Sequence, residues 1–128
     1  MALDKPANDK LLNAALNADI DTLYASIGYF YSLKEQLGVA PPGGRLLCIE
    51  RGKTWIHEKG NDLRNIICND VNIRRYYLEG NTDKERRDAI LLLSDLIISI
   101  CGGVPAINVA ALLLKIGLQE WCNAGDRS

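Results

Sequence analysis

One thiol and one imidazole, Cys48 and His57, are the only residues of this chain whose pairing would make an activated nucleophile. A thiol attacks as its thiolate, and an adjacent imidazole is the usual acceptor of the proton. Backbone form decides whether the two meet. On a straight helix nine residues turn through about 900°, which sets them on opposite faces. On a hairpin pairing RLLCIE with KTWIHE across Arg51-Gly52 they would be diagonal neighbours on one face. A dyad also needs an orienting group and an oxyanion site, and the sequence marks neither. The preferred reading is a buried Cys48 and a surface His57 beside Glu58. A thiol-dependent enzyme using Cys48 and His57 therefore ranks third among the functions.

Cys68, Cys101 and Cys122 form no CxxC with Cys48 or with one another, and a single histidine completes no tetrahedral set. No metal site and no cofactor is expected. Asp83, Glu85 and Asp88 crowd the start of an apolar run, where a helix dipole favours negative charge, so they need no paired-carboxylate chemistry. Pro41-Pro42-Gly43-Gly44-Arg45 lacks the spacing and the Lys-Ser/Thr pair of a phosphate-binding loop, and Gly52-Lys53-Thr54 does not supply them. It reads as a surface connection.

Two groups are candidates for contact with a partner. Arg74-Arg75-Tyr76-Tyr77 mixes bases with aromatics, as single-strand binders do. Asp70, Glu79, Asp83, Glu85 and Asp88 cancel most of its field, so a protein surface suits it better than nucleic acid. Tyr24 and Tyr31, seven residues apart, form a stripe at the edge of an apolar helical face, where rings act either as interface anchors or as cover for their own core.

Composition sets the background. The 128 residues suit one domain, 1–128, with residues 1–7 and 123–128 frayed. An apolar fraction of 48% and a charged fraction of 24% are ordinary for a globular chain, and a net charge of −1 exerts no global pull on nucleic acid. Residues 45–88 hold ten bases and eight acids, the most charged third. The opening residues are polar and of mixed charge rather than a basic, apolar leader. The expectation is cytoplasmic, with reduced, mostly buried thiols.

The elements that would position these residues centre on Ala89–Cys122, two apolar segments joined at Gly102-Gly103-Val104-Pro105. Thr82 and Glu85 have capping-box spacing, and Gly102-Gly103 suits a helix end. Lys84, Asp88, Asp95 and Ser99 form one narrow polar stripe on the first arm. Pro105 suits the first position of the second arm, whose stripe is Asn108, Lys115 and Gln119. The spacing predicts an antiparallel helical hairpin. A membrane is the other home for such a stretch. Each arm is shorter than the roughly 20 apolar residues a span needs. Burying Asp95 and Lys115 in lipid would cost roughly 5–7 kcal/mol, enough to offset most of the apolar gain.

Upstream, Asn8 or Asp9 would cap a helix through Leu11, Leu12, Ala15 and Leu16. A break near Asn17–Asp21 separates it from a second helix whose Ile20, Leu23, Ile27, Phe30 and Leu37 share one face and which Gly38 ends. Arg45–Asn69 reads as helix, weakened or divided at Gly52 and Gly60, with the hairpin as its alternative. Asp70–Leu78 reads as a short helix. The fold class is all-α: a bundle of five or six helices around a C-terminal apolar hairpin. The function that fits best is a protein–protein interaction, adaptor or regulatory module without catalysis, its partner another protein or a second copy of itself. A conditionally inserting membrane hairpin is second, and only that reading brings in a membrane.

Overall fold

The computed structural model describes residues 5–35, 44–73 and 83–126. These are α-helical: α1 (Lys5–Asn17), α2 (Ile20–Glu35), α3 (Gly44–Ile67), α4 (Asp83–Cys101), α5 (Ala106–Ile116) and α6 (Leu118–Asp126). With a further helical turn at 71–73 the helices number seven, and no strand occurs among the described residues. Thr82, Pro41–Gly43, Leu37 and Gly38 lie outside them.

α1 begins at Lys5, ahead of Asn8 and Asp9. Pro6 sits in its first turn, where a missing N–H costs no helical hydrogen bond. The break expected near Asn17–Asp21 falls at Ala18-Asp19. There Asp19 Oδ1 accepts the Thr22 N–H at 2.7 Å and caps α2. Arg45 joins the starts of α3 and α2, donating to Thr22 Oγ1 at 3.0 Å and standing 4.0 Å from Asp19. The hydrogen bonds from Thr22, then the Arg45 charge, hold the Asp19 carboxyl below its ordinary value.

α3 runs unbroken through Gly52 and Gly60, which excludes the β-hairpin over Arg45–Glu58. The glycines serve packing. A Cβ on Gly28 would lie 1.8 Å from the Cys48 carbonyl oxygen, and one on Gly52 would lie 2.0 Å from the Tyr24 carbonyl oxygen. The backbones of α2 and α3 thus touch where both lack a side chain. This crossing turns α2 so that Leu23, Ile27 and Ser32 are buried while Ile20 and Phe30, expected on the core face, stand exposed. α3 itself buries Cys48, Ile49, Trp55, Ile56, Leu63 and Ile67, so the most charged third of the chain supplies a core helix.

α4 and α5 form the expected hairpin. Gly102 takes φ +61°, and the Val104 N–H closes the turn on the Cys101 carbonyl at 3.0 Å. The Lys34 side chain lies over Gly102 and Gly103, close to the end of α4, where a cation suits the helix dipole. Pro105 is the residue before α5 rather than its first, with an extended ψ of 118°. α5 is the most enclosed helix, packed on α1, α2, α4 and α6, with Val109, Ala110, Ala111, Leu112 and Leu113 buried. Two residues of its polar stripe reach neighbouring helices, while Gln119 falls on α6 and is exposed. Asn108 Nδ2 donates to Ser26 Oγ on α2 at 2.6 Å, and Lys115 Nζ donates to the Leu16 carbonyl near the end of α1 at 2.9 Å.

The second arm does not run straight to Trp121. Gly117 takes φ +108°, a conformation that side chains resist, and α6 starts in a new direction. α6 then reaches Asp126, through the tail expected to fray from Asn123. It packs on α5 and α3. The expectation of four reduced thiols is corrected here: Cys68, just after α3, and Cys122, on α6, form a disulfide with Cα atoms 5.8 Å apart. The two stand 54 residues apart in sequence, so only the docking of α6 on α3 brings them together. Cys48 and Cys101 are free and buried. Beside the disulfide, Arg64 stacks its guanidinium 4.6 Å from the Trp121 ring and donates from Nε to the Trp121 carbonyl at 3.0 Å.

Candidate functional site

The helical form of α3 settles the geometry of the thiol and the imidazole. Cys48 is buried at the α2–α3 crossing, while His57 is exposed, nine residues on and on the other side of the same helix. The structure does not bring them together. Burial pushes the other free thiol, Cys101, up to about 11, the opposite of an activated nucleophile. No group of three or more metal-ligating side chains occurs among the described residues.

The tyrosine stripe is partly covered from within the chain. Lys53 Nζ lies 5.8 Å from the centre of the Tyr24 ring, and the Arg51 guanidinium lies 5.5 Å from that of Tyr31. The Tyr31 hydroxyl donates to Glu58 Oε2 at 3.2 Å. Burial, with a smaller push from Asp21, raises the Tyr24 phenol above its ordinary value. Both rings are half-buried. They bridge α2 and α3, with cations over their faces, and keep part of their surface exposed. Arg74, Arg75, Tyr76 and Tyr77 lie outside the described residues. Asp70 Oδ1 caps the turn that precedes them, accepting the Asn72 and Ile73 N–H groups at 2.9 and 3.0 Å.

What stands open is the outward face of α4. Its expected polar stripe, Lys84, Asp88, Asp95 and Ser99, is exposed. Two large apolar residues share that face: Leu91 is 43% exposed and Ile98 is 64% exposed. Both belong to the apolar run Ala89–Cys122 on which the fold was expected to centre. The opposite side of α4, with Ala89, Ile90, Leu93 and Ile97, meets the body of the bundle and is filled. Arg87, at the edge, donates to Asn13 Oδ1 on α1. The signal for an open face was present in the spacing. Lys84, Leu91 and Ile98 recur every seven residues, in register with Asp88 and Asp95. A helix turns about 100° per residue, so apolar residues in step with charged ones face the same way.

No helix among the described residues is long and apolar enough to cross a membrane. The described fold and surface define an all-α bundle with an open, mixed apolar and charged helix face. No protein-family model, no curated protein and no solved structure matches the chain.

Proposed function

We propose that this chain is a protein–protein interaction module, adaptor or regulatory in role, that works in the cytoplasm by presenting a helix face rather than by catalysis. One observation carries the reading: Leu91 and Ile98 stand exposed on the outer side of α4, beside a core already filled by Ile90, Leu93 and Ile97. Large apolar side chains aligned on one helix face lose solvent contact when a second helix is laid on them. Full burial of the two is worth roughly 1.5–3 kcal/mol each, an upper limit before ordering costs. In this reading the Cys68–Cys122 disulfide is a cross-link that cytoplasmic dithiols can reduce.

The test places a photoreactive phenylalanine analogue at position 98 in the producing cell, with the same group at exposed Thr54 on α3 as control. A discrete cross-linked product from position 98, absent from position 54, supports the reading. Equal products, or none from position 98, would overturn it.

A further inference from the structure

The exposed residues of α4 follow a repeat. Asp88, Leu91, Asp95 and Ile98 are separated by three, four and three residues, with Lys84 four residues before the first. That alternation is the spacing of the two seam positions of a coiled coil. Asp88 and Asp95 take one of those positions, and Leu91 and Ile98 take the other. All four are exposed, and Asp95 lies between the two apolar residues along the helix. The seam advances about 15 Å from Asp88 to Ile98 at the rise of an α-helix. It is therefore a short docking strip, completed by a partner helix of comparable length.

The acids decide which helix fits. In a parallel pair of two copies, Asp88 would face Asp88 and Asp95 would face Asp95, with like charges held in the seam. In an antiparallel pair most registers press each carboxylate against Leu91 or Ile98 of the other copy, and the one that sets Asp95 opposite Lys84 still leaves Asp88 against Leu91 without a partner. Both arrangements disfavour a second copy. A helix with leucine-type residues at one seam position and lysine or arginine at the other covers Leu91 and Ile98 and answers both carboxylates. We infer that the outer face of α4 is the docking strip for a basic amphipathic helix of another protein, its cations opposite Asp88 and Asp95. The inference rests on the interaction reading above and adds the chemistry of the partner.

Synthetic three-heptad helices test it against the intact protein by fluorescence anisotropy. One peptide carries leucine and lysine at its two seam positions, and the other carries leucine and glutamate. The expected result is that the lysine peptide binds at least about tenfold more tightly, a gap that narrows in high salt. A variant with Asp88→Lys and Asp95→Lys, both at exposed positions, should reverse the preference while keeping its helical circular dichroism. Equal affinities, no binding of either peptide, or a preference unmoved by the two substitutions would overturn the inference. If a cross-link forms from position 98 but these peptides show no charge preference, the interaction reading stands and the basic partner falls. If position 98 gives no specific cross-link, both fall.

Discussion

Gly28 of α2 and Gly52 of α3 meet backbone to backbone. A Cβ built on Gly28 would stand 2.7 Å from the Gly52 nitrogen, besides its closer approach to the Cys48 carbonyl. Neither contact has a flexible side chain that would yield. Gly52→Ala should therefore cost about 3 kcal/mol or more, since the helices must separate along their whole crossing. Gly60→Ala is the control on the same helix. Its Cβ would meet only the Arg64 guanidinium, at 3.0 Å, and a mid-helix alanine gains up to about 1 kcal/mol over glycine. Urea unfolding should place Gly60→Ala within about 1 kcal/mol of the parent, with Gly52→Ala far below.

Ser32 is fully buried, and its hydroxyl has no hydrogen-bond partner among the described residues. A buried, unpaired hydroxyl is a cost, of about 1–3 kcal/mol when nothing compensates it. Ser32→Ala should raise stability by about 1 kcal/mol. A lower urea midpoint for this variant would mean that the hydroxyl has a partner in solution.

The Cys68–Cys122 disulfide spans 54 residues of sequence, and closing a loop of that length in the unfolded chain is worth about 4 kcal/mol. Reduction should lower stability by roughly that amount. Its local effect should fall on α6, which leaves α5 at Gly117 and is otherwise held by Leu118, Trp121 and the Arg64 clamp. Hydrogen exchange in reduced protein should quicken over Leu118–Asp126 before it quickens in α2 or α3. Uniform quickening across all helices would make the disulfide a global staple instead.

Burial lifts the Cys101 thiol from 9.0 to about 11. The folded protein thus keeps a proton that the unfolded chain gives up once the pH passes about 9. The contribution is constant below that value, and stability falls as the pH rises through the window from 9 to 11. A shift of this size corresponds to a loss on the order of 2 kcal/mol by the top of the window. Comparing stability profiles of the parent and Cys101→Ala isolates this group from the other alkaline titrations. Parallel profiles from pH 8 to about 11 would count against the raised value.

Much of the skeleton was legible because it depends on local chemistry. Asp19 caps α2 where an acid precedes a helical run, and Gly102-Gly103 turns the hairpin where side chains are absent. The opposed faces of Cys48 and His57 follow from helical pitch alone once α3 is a helix. The stripe Asn108–Lys115 was also legible as polar, though solvent was not the only possible destination. Its partners, Ser26 and the Leu16 carbonyl, belong to helices far earlier in the chain.

By itself the sequence determined that this is an all-α chain with an apolar hairpin, because periodicity, caps and glycines act over a few residues. Tertiary structure alone decided three further matters. It made Gly28 and Gly52 a helix crossing, since a glycine reads locally as weakness and becomes a contact only when another backbone arrives. It joined Cys68 to Cys122, since thiols 54 residues apart have no preferred mate until α6 docks on α3. It left Leu91 and Ile98 outside. A helix apolar around most of its girth offers several faces for burial, and the number of neighbouring helices decides which face stays open.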